Sequence, residues 1–573
     1  MLLFAAAYGV TVYALWKGID FGTHWDEIIQ YNLVKKSYQY ELFLPHFYEY
    51  PSMIYWFDLA SVSDKLLALF FSIVDRGIFW SRVYTTTSKV FAPIGRPGEL
   101  IDSVWLSSLT LHDVPFDFRF FILRARVLVM LVSSLGGVWV FLSLRAADLA
   151  RPVLAAALGG SVYILSWEFG YHARWLAPDL ILAQFVALFV FFLSKADRAE
   201  KPRGWLTSAA VAAGLATATK YTAGGLVPAL WLYVLLRGGC SRRALLATIA
   251  RHTVIAVAVF VAITPGMLLE PLRFATEAYF VMHHYAGGHG IFYGASPYDI
   301  DSHWLYLGRL WEYWSLTMLS SQPVIAGSLA TVSILGLVPT WYRSKPLAAA
   351  LGFLIVFYSV LFSLQGVFIV RNFLILLPVF AYLAGVGFDT LIDRAVKMPV
   401  GGPRQAAILA TSVALATAFG WNAWQQVAFG RSIAAAQREP LVRQVAEYLA
   451  RHASVPVALS PCLAADLSAT GAPLPANVTE PGRARQYIFR MSELASSNAH
   501  LSFWPATRHD TLDWIGPREV NLNYYPTWPG ADHAIILKID AAEHMGVLEA
   551  LSHPRASDVR NSCPPQPIEP RNQ

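Results

Sequence analysis

The sequence predicts an α-helical polytopic membrane protein that ends in a small soluble α/β domain. Three observations carry this expectation. Of the 573 residues, 55% are hydrophobic and only 14% charged, against about 25% charged in soluble domains. Apolar runs near the ~17–25 residues that a helix needs to cross a bilayer recur along most of the chain. The net charge of +6 resides in short gaps between those runs, which is a topology signal and not a nucleic-acid one. The 19 Trp and 26 Tyr suit interfacial belts, where amphipathic rings sit at headgroup depth.

In chain order the apolar runs fall at 1–16, 121–144, 153–169, 180–194, 205–218, 222–236, 253–269, 322–342, 347–369, 372–392 and 405–428, about eleven spans. The first, MLLFAAAYGVTVYALW, has the length of a signal peptide. It lacks a basic leader and a small-residue cleavage site, so it reads as a retained span. The gaps Arg145–Arg151, Lys195–Arg203, Arg237–Arg251, Arg343–Lys345 and Asp393–Arg404 are short and basic, and the positive-inside rule places all five in the cytoplasm. The gaps around GYHARWLAPD, KYTA, Leu272 to Ser321 and GVFIVRNF are then extracytoplasmic. The expected location is the plasma (inner) membrane, crossed many times.

Two larger segments complete the chain. Residues 1–430 form the expected membrane domain, and 18–119 its long first extracytoplasmic loop, in which DKLLALFFSIVDRGIFW is amphipathic enough to lie in the interface. Residues 431–573 form the expected soluble extracytoplasmic domain. There PLVRQVAEYLARHA has helical periodicity, while VPVALS and HAIILKID read as strands. The three Cys make no metal pattern; Cys462 and Cys563 could pair if the tail is outside the cell. No internal repeat and no nucleotide-binding glycine pattern occurs.

Ionisable residues gather at the outer span ends. In THWDEIIQ, Thr23 can cap a helix whose positive end favours Asp26 and Glu27. Two adjacent carboxylates beside His24 nonetheless exceed what a cap requires, and a carboxylate at the outer rim can act as general base or hold a divalent ion. The gap WEFGYHARWLAPD brings Glu168, His172, Arg174 and Asp179 to one span boundary, where polar residues tend to be functional. Lys220 lies in GLATATKYTAGGLVPAL, a stretch too short for two full crossings, so two shortened helices should meet with Lys220 at their turn. The plain alternative for it is snorkelling to the surface. Arg371 in FIVRNF offers a two-pronged donor to phosphate. His283, His284 and His289 in VMHHYAGGHG lack a fixed ligand spacing, so a metal is not assigned to them.

Cations and carboxylates on one membrane face suit a phosphate whose tail stays in lipid. Nucleotide sugars are absent outside, so activated sugars there arrive on polyprenyl phosphate. Cations would stabilise the leaving phosphate while a carboxylate orients the incoming hydroxyl.

This arrangement resembles the GT-C superfamily of integral-membrane glycosyltransferases, in the branch of the protein O-mannosyltransferases and the lipid A aminoarabinose transferases. The resemblance runs from Met1 to about Trp424. It rests on the first span followed by Asp26-Glu27, on ARWLAPD, on GLATATKYTAGGL and on VRNFLILLPVFAYLAGVG. It implies transfer from a polyprenyl-phosphate sugar to a protein, lipid or glycan acceptor. Asp26, Glu27 and Asp179 would be the catalytic carboxylates; Arg174, Lys220 and Arg371 would hold donor phosphate, with His24, His172, His283 and His284 as substrate contacts. Metal use varies across such enzymes, so a divalent ion stays open. Asn372 departs from the family, which usually has Tyr after the arginine. A transporter or flippase is the main rival; it predicts pseudo-symmetric halves and polar groups near the bilayer centre. Here the halves look unrelated and the polar groups collect at one face. A lipid-linked polysaccharide polymerase or ligase would share the phosphate chemistry.

Overall fold

The computed structural model describes residues 1–20, 25–40, 44–68, 113–238, 241–287, 300–365, 369–436, 441–470, 473–490, 511–515, 534–544 and 548. Most of the stretch expected to lie in the interface, His24, His289 and Cys563 fall outside them, as do the side chains of Asp26 and His284.

The helices follow the apolar pattern closely. α1 spans Leu2–Lys17, and the first loop contributes α2, Trp25–Tyr40, and α3, Met53–Ser61. The bundle continues with α4, Phe118–Ala146; α5, Pro152–Ile164; the one-turn α6, Trp167–His172; and α7, Pro178–Arg198. Then come α8, Arg203–Thr217; α9, Leu226–Arg237; and α10, Arg242–Ile263. The short α11, Gly266–Leu269, leads into α12, Pro271–Gly287, and α13, Ile300–Tyr313. The membrane part closes with α14, Pro323–Arg343; α15, Lys345–Ser363; α16, Leu377–Lys397; and α17, Gly402–Ala436. Each of the expected apolar runs contains helix, although that at 153–169 breaks after Ile164 and that at 347–369 leaves its helix after Ser363. Among the described residues, 7 helices are long and apolar enough to cross a membrane. α1, α5, α8 and α9 are shorter, and the breaks that build the site follow α5 and separate α8 from α9. The chain is an integral membrane protein.

Small residues let the central helices approach closely. A Cβ on Gly336 of α14 would lie 2.0 Å from the Leu383 carbonyl oxygen of α16, and one on Gly387 of α16 would lie 2.3 Å from that of Val332. Such glycine-lined crossings are how bundles pack where lipid removes the hydrophobic drive between helices.

The basic gaps meet at one end. Arg151 pairs with Asp393 at 3.2 Å, Arg343 with Asp389 at 3.4 Å, and Arg198 with Asp148 at 3.4 Å. The backbone amides of Ala150 and Arg151 donate to Asp389 at 3.0 and 2.7 Å, and Arg237 donates to the carbonyl of Ala199 at 2.8 Å. α7 ends here at Arg198, α9 at Arg237 and α16 beyond Arg394. Their opposite ends carry Asp179, Lys220 and Arg371. A helix of 21 residues is ~31 Å long, about the hydrocarbon thickness, so those residues and the basic loops sit at opposite ends of the bundle.

After α17 come α18, Leu441–Arg451, and α19, Pro461–Ala469. They accompany a 4-stranded sheet of β1, Val457–Leu459; β2, Gln486–Arg490; β3, Thr511–Ile515; and β4, Ala534–Lys538, in the order β1-β2-β4-β3. β1 runs parallel to β2, and the other pairs are antiparallel. The apolar face of α18, with Val442, Val445 and Leu449, shares a core with Val457, Ile488 and Ile536. Cys462 is disulfide-bonded; its partner lies outside the described residues.

Candidate active site

Three breaks in helical geometry create the site. The first follows α5: Ser166 stops the helix and caps α6, accepting a hydrogen bond from the Phe169 amide at 3.0 Å. The second follows α8, where Lys220 is extended (φ −154°, ψ 129°) and a 3₁₀ turn, Tyr221–Gly225, precedes α9. The third is the 3₁₀ segment Val370–Leu376 ahead of α16. Irregular backbone at membrane depth is tolerated only where protein buries it or a cavity is lined by it. The close approach at the second break needs glycine: a Cβ on Gly225 would meet the Phe357 ring at 2.3 Å.

The breaks converge on Asp179, in the first turn of α7. Its Oδ1 lies 2.9 Å from Lys220 Nζ and its Oδ2 lies 3.4 Å from Arg371 Nε. Lys220 also donates to Asn372 Oδ1 at 2.6 Å. All four side chains are buried, so Lys220 does not snorkel. The residue that departs from the family pattern, Asn372, thus supplies a neutral acceptor for the lysine. Two cations face one carboxylate, which leaves a surplus of one positive charge in a dry setting, where charge interactions are strong.

Beside this cluster stands a second pair. His172 Nδ1 lies 3.0 Å from the Glu168 carbonyl oxygen and 3.1 Å from Glu168 Oε2. The His172 ring packs edge-on against Trp175, with centroids 4.5 Å apart. The Arg371 guanidinium lies 5.8 Å from the centroid of the same indole. Arg174 points elsewhere: it donates to the carbonyls of Gly170 at 2.6 Å and Ala14 at 3.2 Å and covers the Phe429 ring at 4.7 Å. It ties α1, α6 and α17 together behind the cluster.

The acidic pair is divided by its surroundings. Glu27 on α2 is fully buried against Arg126 of α4, with Nε to Oε1 at 2.9 Å and Nη2 to Oε2 at 2.6 Å. Arg126 also donates to the Ile19 carbonyl at 2.9 Å. This two-pronged pair fixes the start of α2 against the bundle, and breaking a buried pair by removing one partner costs about 3–5 kcal/mol. Arg126 was not legible as a site residue, because an arginine within an apolar run looks like a span-end charge. Its partner is 99 residues away. His283 is exposed on α12 and stacks on Tyr279, unlike the buried cluster.

Asp58 on α3 also went unnoticed in the sequence. It is wholly buried, and among the described residues neither carboxyl oxygen has a hydrogen-bond partner. Burial, and then the nearby Glu27 carboxylate, raise its pKa well above the usual carboxyl value. The unfolded chain ionises this acid in the ordinary range, while the folded protein keeps it protonated to higher pH. Burying Asp58 therefore costs little in acid and costs more as pH rises above that range. Asp58→Asn, which mimics the neutral acid, should leave the unfolding temperature close to wild type near pH ~4 and raise it near pH ~8. An identical difference at both pH values would contradict this.

The first loop is pinned beside the second break. His46 Nδ1 lies 2.5 Å from Glu270 Oε1, the Tyr48 hydroxyl also donates to Glu270, and the Tyr48 amide donates to Glu277. Tyr221, next to Lys220, donates to the Tyr48 carbonyl at 2.7 Å.

Residues 118–267 match the family model described as dolichyl-phosphate-mannose-protein mannosyltransferase. The matched residues run from α4 through α10 and include Asp179 and Lys220. Among solved structures, the chain is similar to ArnT from Cupriavidus metallidurans bound to undecaprenyl phosphate. The identity is 15% over 93% of this chain and 97% of that one, with a TM-score of 0.46. It is also similar to the Archaeoglobus fulgidus oligosaccharyltransferase tethered with an acceptor peptide, at 12% identity over 74% of this chain and 55% of that one, TM-score 0.40. AglB from the same organism, in complex with an inhibitory peptide and a dolichol-phosphate, gives 12% identity over 74% and 56%, TM-score 0.39. No curated protein matches the chain.

Proposed function

We propose that the protein transfers a glycosyl residue from a polyprenyl-phosphate-linked sugar to an acceptor hydroxyl at the extracytoplasmic face of the membrane. The observation that carries this reading is the meeting of Lys220 and Arg371 on Asp179, at the end of the bundle opposite the basic loops. A phosphodiester carries one negative charge and matches the one surplus positive charge of that cluster. The two cations hold the donor phosphate and stabilise it as the sugar leaves, while Arg174 braces the wall behind them. Asp179 keeps the cations in place when no phosphate is present and lies on the acceptor side during transfer.

Glu27 is committed to Arg126, so the role of base falls to Asp26, one position earlier on α2. Asp26 takes the proton of the acceptor hydroxyl as that oxygen attacks the anomeric carbon. His24, His172, His283 and His284 are further substrate contacts in this reading. A divalent ion is compatible with the acidic pair and is not required by it.

The positive-inside rule supports the orientation, because the basic loops gather at the far end. The disulfide at Cys462 supports a tail outside the cytoplasm, since such bonds persist in oxidising compartments. The small core around α18 supports a separate soluble domain, while α17 runs through residue 430 to Ala436. The flippase reading would need two pseudo-symmetric halves, and the helix order among the described residues gives no sign of them.

Incubating the purified protein with a panel of lipid-linked sugars and acceptors, and weighing the products, tests the reading. A mass gain of one sugar on an acceptor supports it. Lipid movement across vesicles without transfer would favour the flippase.

A further inference from the structure

Resting on the phosphate site above, a charge imbalance arises when the reaction completes. The donor is a phosphodiester with one negative charge. The product is a phosphate monoester, whose second ionisation lies near ~6, so it carries close to two charges at neutral pH. Lys220 and Arg371 against Asp179 supply one surplus positive charge, and the Glu168–His172 pair beside them carries one negative charge when the ring is neutral and none when it is protonated.

The Glu168–His172 pair can make up the difference. Nδ1 of His172 has the Glu168 carbonyl oxygen as its hydrogen-bond acceptor at 3.0 Å and lies 3.1 Å from the Glu168 carboxylate, a charge contact. That nitrogen therefore holds a proton, and Nε2 is where a second proton is gained or lost. The ring shares the Trp175 indole with Arg371 and lies within electrostatic range of Asp179. The ionisable groups around it are Glu168 and Tyr171 on α6, Arg174 just after it, Asp179 on α7 with its partner Lys220, and Arg371 ahead of α16. α5 and the π-turn Trp314–Met318, which also pack on α6, carry no acidic or basic side chain. On α1 and α17 the charged residues are Lys17 and Arg431, both exposed, and Arg404 at the far end of its helix.

We propose that His172, held by Glu168, is a proton-binding compensator for the product phosphate. As the acceptor oxygen bonds to the anomeric carbon, its proton passes to Asp26. The bond from that carbon to the phosphate oxygen breaks, and the oxygen keeps the electron pair. His172 Nε2 then binds one proton from water, so that the site gains one positive charge as the phosphate gains one negative charge. Glu168 positions the ring and stabilises the imidazolium.

The test is calorimetric proton counting at about pH 7.5 in two buffers of different ionisation enthalpy. Farnesyl phosphate serves as the monoester and farnesyl methyl phosphate as the diester, each titrated into the full-length protein in detergent. Wild type should take up protons with the monoester and almost none with the diester. His172→Gln should lose more than about half of the proton uptake per monoester bound, whatever its affinity for the diester. Glu168→Gln should also lower that uptake while keeping the ring, and it carries the test if His172→Gln does not fold. Wild-type uptake in the variants overturns the proposal while leaving the phosphate site intact. If wild type binds neither phosphate, the phosphate site itself fails and the proposal with it.

Discussion

Asp26→Asn should leave the protein folded and inserted while lowering sugar transfer by about 10²–10⁴-fold, the usual contribution of general base catalysis. The reason lies in the residue beside it. Glu27 is locked in a two-pronged pair with Arg126 and also accepts from the Leu176 amide at 3.4 Å. The structural load of the α2 start thus rests on Glu27, and the amide substitution at Asp26 removes a base without removing that anchor. Donor binding should be close to wild type in this variant. Unchanged transfer, measured under single-turnover conditions, would take Asp26 out of the mechanism.

Lys220→Ala should act on the other half of the reaction. Lys220 Nζ is 2.9 Å from Asp179 and 2.6 Å from Asn372, and in the proposed complex it exchanges one of these contacts for a phosphate oxygen. A hydrogen bond to a charged partner is worth about 1.5–3 kcal/mol, so the donor KM should rise roughly 10–100-fold with a smaller fall in kcat. Arg371 still neutralises Asp179 in this variant, which keeps the fold. Lys220→Arg should recover part of the loss, because it restores the charge with different reach. A normal donor KM for Lys220→Ala would reduce the lysine to a structural partner of Asp179.

The sequence alone carried the helices and the site unevenly. Each apolar run contains a helix, because hydropathy reports a constraint that every backbone group in lipid must meet. The meeting of two short helices at Lys220 was legible as well, since 32-odd apolar residues cannot make two crossings of ~20 each. Span-end position brought Asp179, Lys220 and Arg371 into one set of candidates. Pairing was not legible. Glu27 and Arg126 are 99 residues apart, and nothing in one sequence says which arginine reaches which carboxylate. Arg174 shows the same limit: it sits in the same gap as Asp179, yet one helical turn points it at Gly170, Ala14 and Phe429. Asp58 went unseen because a lone carboxyl in MIYWFDLAS resembles any surface acid, and only the packed loop exposes its lack of partners.

The claim that joins these parts is that Lys220 and Arg371 form a phosphate site and are more than counterions for Asp179. Equilibrium binding of undecaprenyl phosphate to the purified protein, compared between wild type and the double variant Lys220→Ala/Arg371→Ala, addresses it most directly. The account predicts saturable binding by wild type that weakens at least about 100-fold in the double variant, as the loss of two charge-assisted contacts requires. Equal affinity in a double variant that remains folded would contradict it.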